Sequence, residues 1–71
     1  MFSVFKYDGE SYERVFDDNE KIHAEIFAAN HSKYDEGLVY SIYDTSNAPV
    51  FVCYYEHGEK FTEDDDTSMQ E

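Results

Sequence analysis

The chain predicts a small α+β fold: an antiparallel sheet of two hairpins with one helix, in the order ββαββ. Three features of the sequence carry that expectation. Asp8-Gly9 lies between two β-like runs, Asp17, Asp18 and Asn19 precede apolar residues at helical spacing, and two further β-like runs flank Thr45 to Pro49. One domain is expected over residues 1–61, followed by an acidic, disordered tail over 62–71.

Asp8-Gly9 can supply the two positive-φ positions of a type I′ turn between residues 2–7 and 10–16. Counting back from such a turn pairs Phe5 with Tyr12 and Phe2 with Val15, and sets Val4 against Glu13. The capping residues at 17–19, with Glu20 three positions after Asp17, open a helix over about 18–32. Ile22, Ile26 and Ala29 would face inward, leaving Glu20, Lys21, Ala24 and Ala28 outside. Residues 38–44 and 50–56 then form a second hairpin, with Pro49 at a strand entrance where a missing N–H is tolerated. Strict alternation puts Leu38, Tyr40, Ile42, Val50, Val52 and Tyr54 on one face, and Val39, Tyr43, Phe51, Cys53 and Tyr55 on the other. Both faces are apolar, and one helix covers only one. The spare face must meet the first hairpin, a second subunit or a target, so Val39, Tyr43, Phe51, Cys53 and Tyr55 are a candidate docking or dimer face.

Charge dominates the composition: 17 Asp and Glu stand against 5 Lys and Arg in 71 residues, a formal net charge of -12. Such a surplus disfavours nucleic acids and anionic membranes as partners and favours basic ones. Disorder of the whole chain does not follow, because seven Tyr and six Phe can build a core. A domain of this size buries only about 60% of its unfolded surface, so a second subunit would help to stabilise it. A single cysteine, no basic-then-apolar leader and no long apolar run suit a cytoplasmic protein without disulfides.

No enzymatic or metal chemistry is expected. His23 and His31 lie about 12 Å apart along a helix, and Cys53 and His57 about 13 Å apart along a strand, too far for either pair to chelate one ion. Asp64 to Asp66 lacks the glycine and glutamate of a calcium loop. Cys53 sits among apolar neighbours with no base beside it, as a packed thiol does. The aromatics could stack bases, but Lys6, Arg14, Lys21, Lys33 and Lys60 are too scattered to form a cationic groove.

Carboxylates at alternate strand positions are spaced about 6.6 Å apart, on the scale of phosphates along a DNA strand. Asp8, Glu10, Glu13, Asp17, Asp18 and Glu20 form one acidic string, and Asp35, Glu36 and Asp44, with Glu56, Glu59 and Glu63, add charges on loops and strand ends. The excess goes beyond the net charge of about 2 to 8 that suffices for solubility. These residues, with Tyr43 and Tyr55 as aromatic anchors, are the expected contacts to a basic nucleic-acid-binding protein. In size, charge and aromatic content the chain resembles, as a class, the small acidic counter-defence and host-takeover proteins of bacteriophages, which include DNA mimics and anti-CRISPR proteins. That resemblance implies a non-enzymatic inhibitor in a bacterial host, aimed at a nuclease, CRISPR effector, polymerase or nucleoid protein. The other expectation is a regulatory interaction module that docks or homodimerises through its aromatic sheet face.

Overall fold

The computed structural model describes residues 1–35 and 37–62; Glu36 and the expected tail from residue 63 onward lie outside the described residues. Five strands and one helix follow in the order β1 (Phe2–Tyr7), β2 (Tyr12–Asp18), α1 (Lys21–Tyr34), β3 (Val39–Asp44), β4 (Val50–Glu56) and β5 (Glu59–Phe61). The expected ββαββ order holds, and β5 adds a short third strand to the second hairpin. The strands form one antiparallel sheet in the order β2-β1-β3-β4-β5. The first hairpin is thus part of the same sheet as the second and does not cover its spare face.

Turn chemistry sets two corrections. The link between β1 and β2 is a four-residue loop, with Tyr7 opposite Tyr12. The Asp8 carboxylate accepts the Glu10 and Ser11 N–H groups and closes the loop locally, which lengthens it beyond a two-residue turn. The two-residue turn lies instead at His57-Gly58, where φ is 57° and 80°, the positive signs that a type I′ turn needs. It sets Glu56 opposite Glu59 and creates β5.

The helix packs the face that the hydrophobic pattern assigned to solvent. Ala24, Ala28 and Ser32 are buried, whereas Ile22 and Ile26 are 55% and 52% exposed. The reason is distance. The sheet presents bulky Tyr40 and Tyr55 with Val4, Ile42 and Cys53, and small helix residues let the backbone settle on them. Phe27 closes the flank by stacking on Phe16 at 4.5 Å between ring centroids. The Ser32 hydroxyl accepts the Gly58 N–H and donates to the Ala29 carbonyl, tying the helix to the β4–β5 turn.

Register irregularities decide which side chains lie under the helix. Val15 is an extra residue between the pairs Val4–Phe16 and Phe5–Arg14, and Val52 is another between Ile42–Cys53 and Tyr43–Phe51. The second shift moves Cys53 and Tyr55 to the helix side with Ile42 and Tyr40, and moves Tyr54 to the opposite side with Ser41. Cys53 is therefore fully buried and Tyr55 only 7% exposed.

Candidate protein interface

The side of the sheet away from the helix is covered by no other element among the described residues. The register arranges it in transverse rows. One row reads Tyr12, Tyr7, Val39, Glu56, Glu59; the next Arg14, Phe5, Ser41, Tyr54, Phe61; the last Asp17, Ser3, Tyr43, Phe51. Aromatic contacts join the rows into a continuous surface. Phe5 meets Tyr43 edge-on at 5.6 Å, Tyr43 meets Phe51 at 5.7 Å, and Tyr54 stacks on Phe61 at 5.1 Å. Tyr7 and Tyr12 stack at 4.5 Å on the outer side. Offset and edge-on pairs of this kind are favourable beyond simple burial. The small residues Ser3 and Ser41 are buried between these rings, so the surface is a packed aromatic layer rather than separate exposed side chains. A hollow of about 310 Å³ opens among Phe5, Tyr12, Tyr43, Thr45 and Pro49 at its margin.

Among the described residues, cations are almost absent from this side. Arg14 is the one lysine or arginine on its rows, and its Nε lies 3.7 Å from the Asp17 carboxylate. On the other side, Lys6 pairs with Glu13 at 3.6 Å, while Lys60 and Lys21 share the Glu25 carboxylate at 3.2 and 3.9 Å. Glu56 and Glu59 stand directly opposite each other on the uncovered face, a like-charge pair that disfavours the strand pairing it sits in. Glu59 has no ion pair or side-chain hydrogen bond among the described residues.

The acidic residues singled out in the sequence do not form one ladder. Asp17 lies on the uncovered face and accepts the Ser3 hydroxyl, while Glu13 and Asp18 project from the helix side. Asp18 accepts the Glu20 N–H and contacts His23, and Glu20 occupies the helix N-cap position without a side-chain cap. Asp35 accepts the Tyr40 hydroxyl at 2.6 Å, and Asp44 accepts the Ser46 N–H. Backbone N–H groups hold the carboxyls of Asp8, Asp18 and Asp44 below their usual range, so all three stay ionised while they close turns. Asp8 and Glu10 lie in the loop next to the Tyr12–Glu59 row, and Glu36 is outside the described residues.

No family model, curated protein or solved structure matches this chain.

Of the candidate docking residues, Val39, Tyr43 and Phe51 come together on the uncovered face. Cys53 and Tyr55 do not: the shift at Val52 turns both under the helix, so Tyr55 cannot serve as an exposed anchor. Burial pushes the Cys53 thiol up, keeping it protonated and unreactive at neutral pH. Among the described residues, no group of three or more His, Cys, Asp or Glu side chains could hold a metal ion. Phe5, Tyr7, Tyr12, Tyr54, Phe61, Glu56 and Glu59 are the members of the face that strand alternation missed. A turn at His57-Gly58 is the signal that would have set Glu59 and Phe61 opposite Glu56 and Tyr54; the side all four share depends on the extra residue at Val52.

Proposed function

We propose that this chain is a non-enzymatic inhibitor that docks on the cationic, nucleic-acid-binding surface of a larger protein and blocks it by competition. One observation carries the reading: a net charge of -12 accompanies an uncovered aromatic sheet face whose one lysine or arginine is already paired with a carboxylate. Nucleic acid is a poor occupant of that face, because it offers no free cations for phosphate. A basic protein surface is a good one. Carboxylates around an aromatic patch speed encounter with a positive partner and reject negative competitors, while the rings supply buried anchor contacts. The likeness to phage counter-defence and host-takeover proteins suggests a bacterial nuclease, CRISPR effector, polymerase or nucleoid protein as the target class.

Affinity capture from a bacterial lysate at low and high salt tests the reading. A nucleic-acid-binding protein should be retained at low salt and released by high salt or by competing DNA. Charge reversal at Glu10, Glu13, Asp17 and Asp18 should weaken its capture. A partner that is indifferent to salt, to DNA and to charge reversal would sink the proposal.

A second reading is favoured by the edge-on packing of Tyr43 between Phe5 and Phe51 on this face. It makes the protein a regulatory docking module or homodimer whose acid serves solubility. Phe51→Glu should then abolish association seen by analytical ultracentrifugation, and removal of surface carboxylates should change it little.

A further inference from the structure

The opposed glutamates on the aromatic face restrict the chemistry of its occupant. Glu56 and Glu59 are cross-strand neighbours with side chains on the uncovered side, where directly opposed Cβ atoms lie about 5 Å apart. Among the described residues, Glu56 is paired with the His57 ring at 4.0 Å, which is charged only when protonated, and Glu59 has no ion pair. Two carboxylates at that separation match the planar, multiply donating guanidinium of arginine better than the compact ammonium of lysine. The next row of the face begins immediately beyond them, with the stacked rings of Tyr54 and Phe61 and then Phe51 and Tyr43. Guanidinium groups also lie favourably over such rings. Arg14 and Asp17, at the far edge, neutralise one another, so Glu56 and Glu59 are the carboxylates of the three rows that no lysine or arginine balances.

We propose that the occupant of this face is an arginine-bearing protein segment, with one guanidinium bridging Glu56 and Glu59 and others lying over Tyr43, Phe51 and Tyr54. The inference rests on the cationic-partner reading above and specifies the partner's side chains. It also accounts for a like-charge pair that weakens the β4–β5 hairpin in the free protein.

The test is a titration of the ¹⁵N-labelled full chain with octa-arginine and octa-lysine peptides, followed by amide chemical shifts. Octa-arginine should bind about tenfold more tightly than octa-lysine, as bidentate and stacked contacts predict. Its shifts should map to β4, β5 and the Tyr43 region and spare the helix around Ile22 and Ile26. In a Glu56→Gln, Glu59→Gln variant the preference for arginine should collapse, while its urea midpoint stays equal or rises because the repulsion is gone. Tyr54→Leu should lower arginine affinity and leave the lysine peptide nearly unaffected. Equal affinity for the two peptides, or shifts confined to the helix side, would overturn the arginine assignment while leaving a cationic partner possible. Failure of both peptides to bind at low salt would overturn both this inference and the function on which it rests.

Discussion

At the scale of single residues, burial and backbone conformation make specific demands. The hydroxyls of Tyr40 and Tyr55 lie under the helix, and loss of water pushes both up to about 12, helped for Tyr40 by its bond to Asp35 and for Tyr55 by the charge of Glu25. The unfolded chain releases these protons near 10, so between about pH 10 and 12 the native state holds more protons than the unfolded one. Their contribution to stability is complete below that window and is lost as pH rises through it. Ultraviolet titration should therefore show two of the seven tyrosines ionising late, together with the onset of alkaline unfolding. Gly58 makes a different demand. Its φ of 80° strains any side chain, while an added Cβ would meet Lys33 Cβ at 3.4 Å, ordinary contact. Gly58→Ala should cost about 1–2 kcal/mol through backbone strain, measured by urea denaturation.

At the scale of elements, the helix is held by closeness rather than by its largest apolar side chains. Ala24 and Ala28 are fully buried against the sheet, and Ile22 and Ile26 look outward. Ala28→Leu should thus destabilise the protein by about 1–3 kcal/mol, because a packed interface cannot absorb three more carbons without displacement. Ile26→Ser, against the naive hydrophobic pattern, should change stability by less than about 0.5 kcal/mol, as exposed substitutions do. Denaturation midpoints of the two variants decide between the observed helix face and the opposite one. The sheet depends on similar detail. Each bulge places two residues against one and changes the parity of everything beyond it. The residues at Val15 and Val52 therefore determine which aromatics line the uncovered face.

At the scale of the whole molecule, the net charge opposes compactness. Few of its ion pairs are shielded from solvent; Lys6–Glu13 and Arg14–Asp17, for example, lie at the surface. Such pairs contribute about 0–1 kcal/mol each, whereas 12 uncompensated negative charges repel one another throughout a domain whose Cα radius of gyration is 12.1 Å. Screening the repulsion should outweigh screening the pairs. Urea midpoints should rise as sodium chloride is increased from low concentration, and a fall would show that the local pairs dominate. The same field weakens on docking to a positive partner, so binding and stability should respond to salt in opposite directions. Under the proposed function, the uncovered aromatic face and the surplus charge are two parts of one surface, one contributing contact and the other long-range attraction. No described helix is long and apolar enough to cross a membrane.

Much of this molecule could be read along the chain because much of it is local. Strand-forming runs, a polar break before the helix and the loop before Pro49 depend on near neighbours, and they yielded the α+β class and the ββαββ order. The surplus of acid was equally plain, as were Val39, Tyr43 and Phe51 on the spare face. The position of each acid was not, since a carboxylate's face depends on register set by a partner strand. Alternation failed at Val52, where one extra residue exchanged Tyr54 for Tyr55, and β5 was too short to stand out from its polar surroundings. The helix was assigned the wrong inner face because alanine and isoleucine are both apolar along a sequence. The sheet distinguishes them by volume: against Tyr40 and Tyr55 it buries the methyl groups of Ala24 and Ala28, while the larger Ile22 and Ile26 stay half exposed.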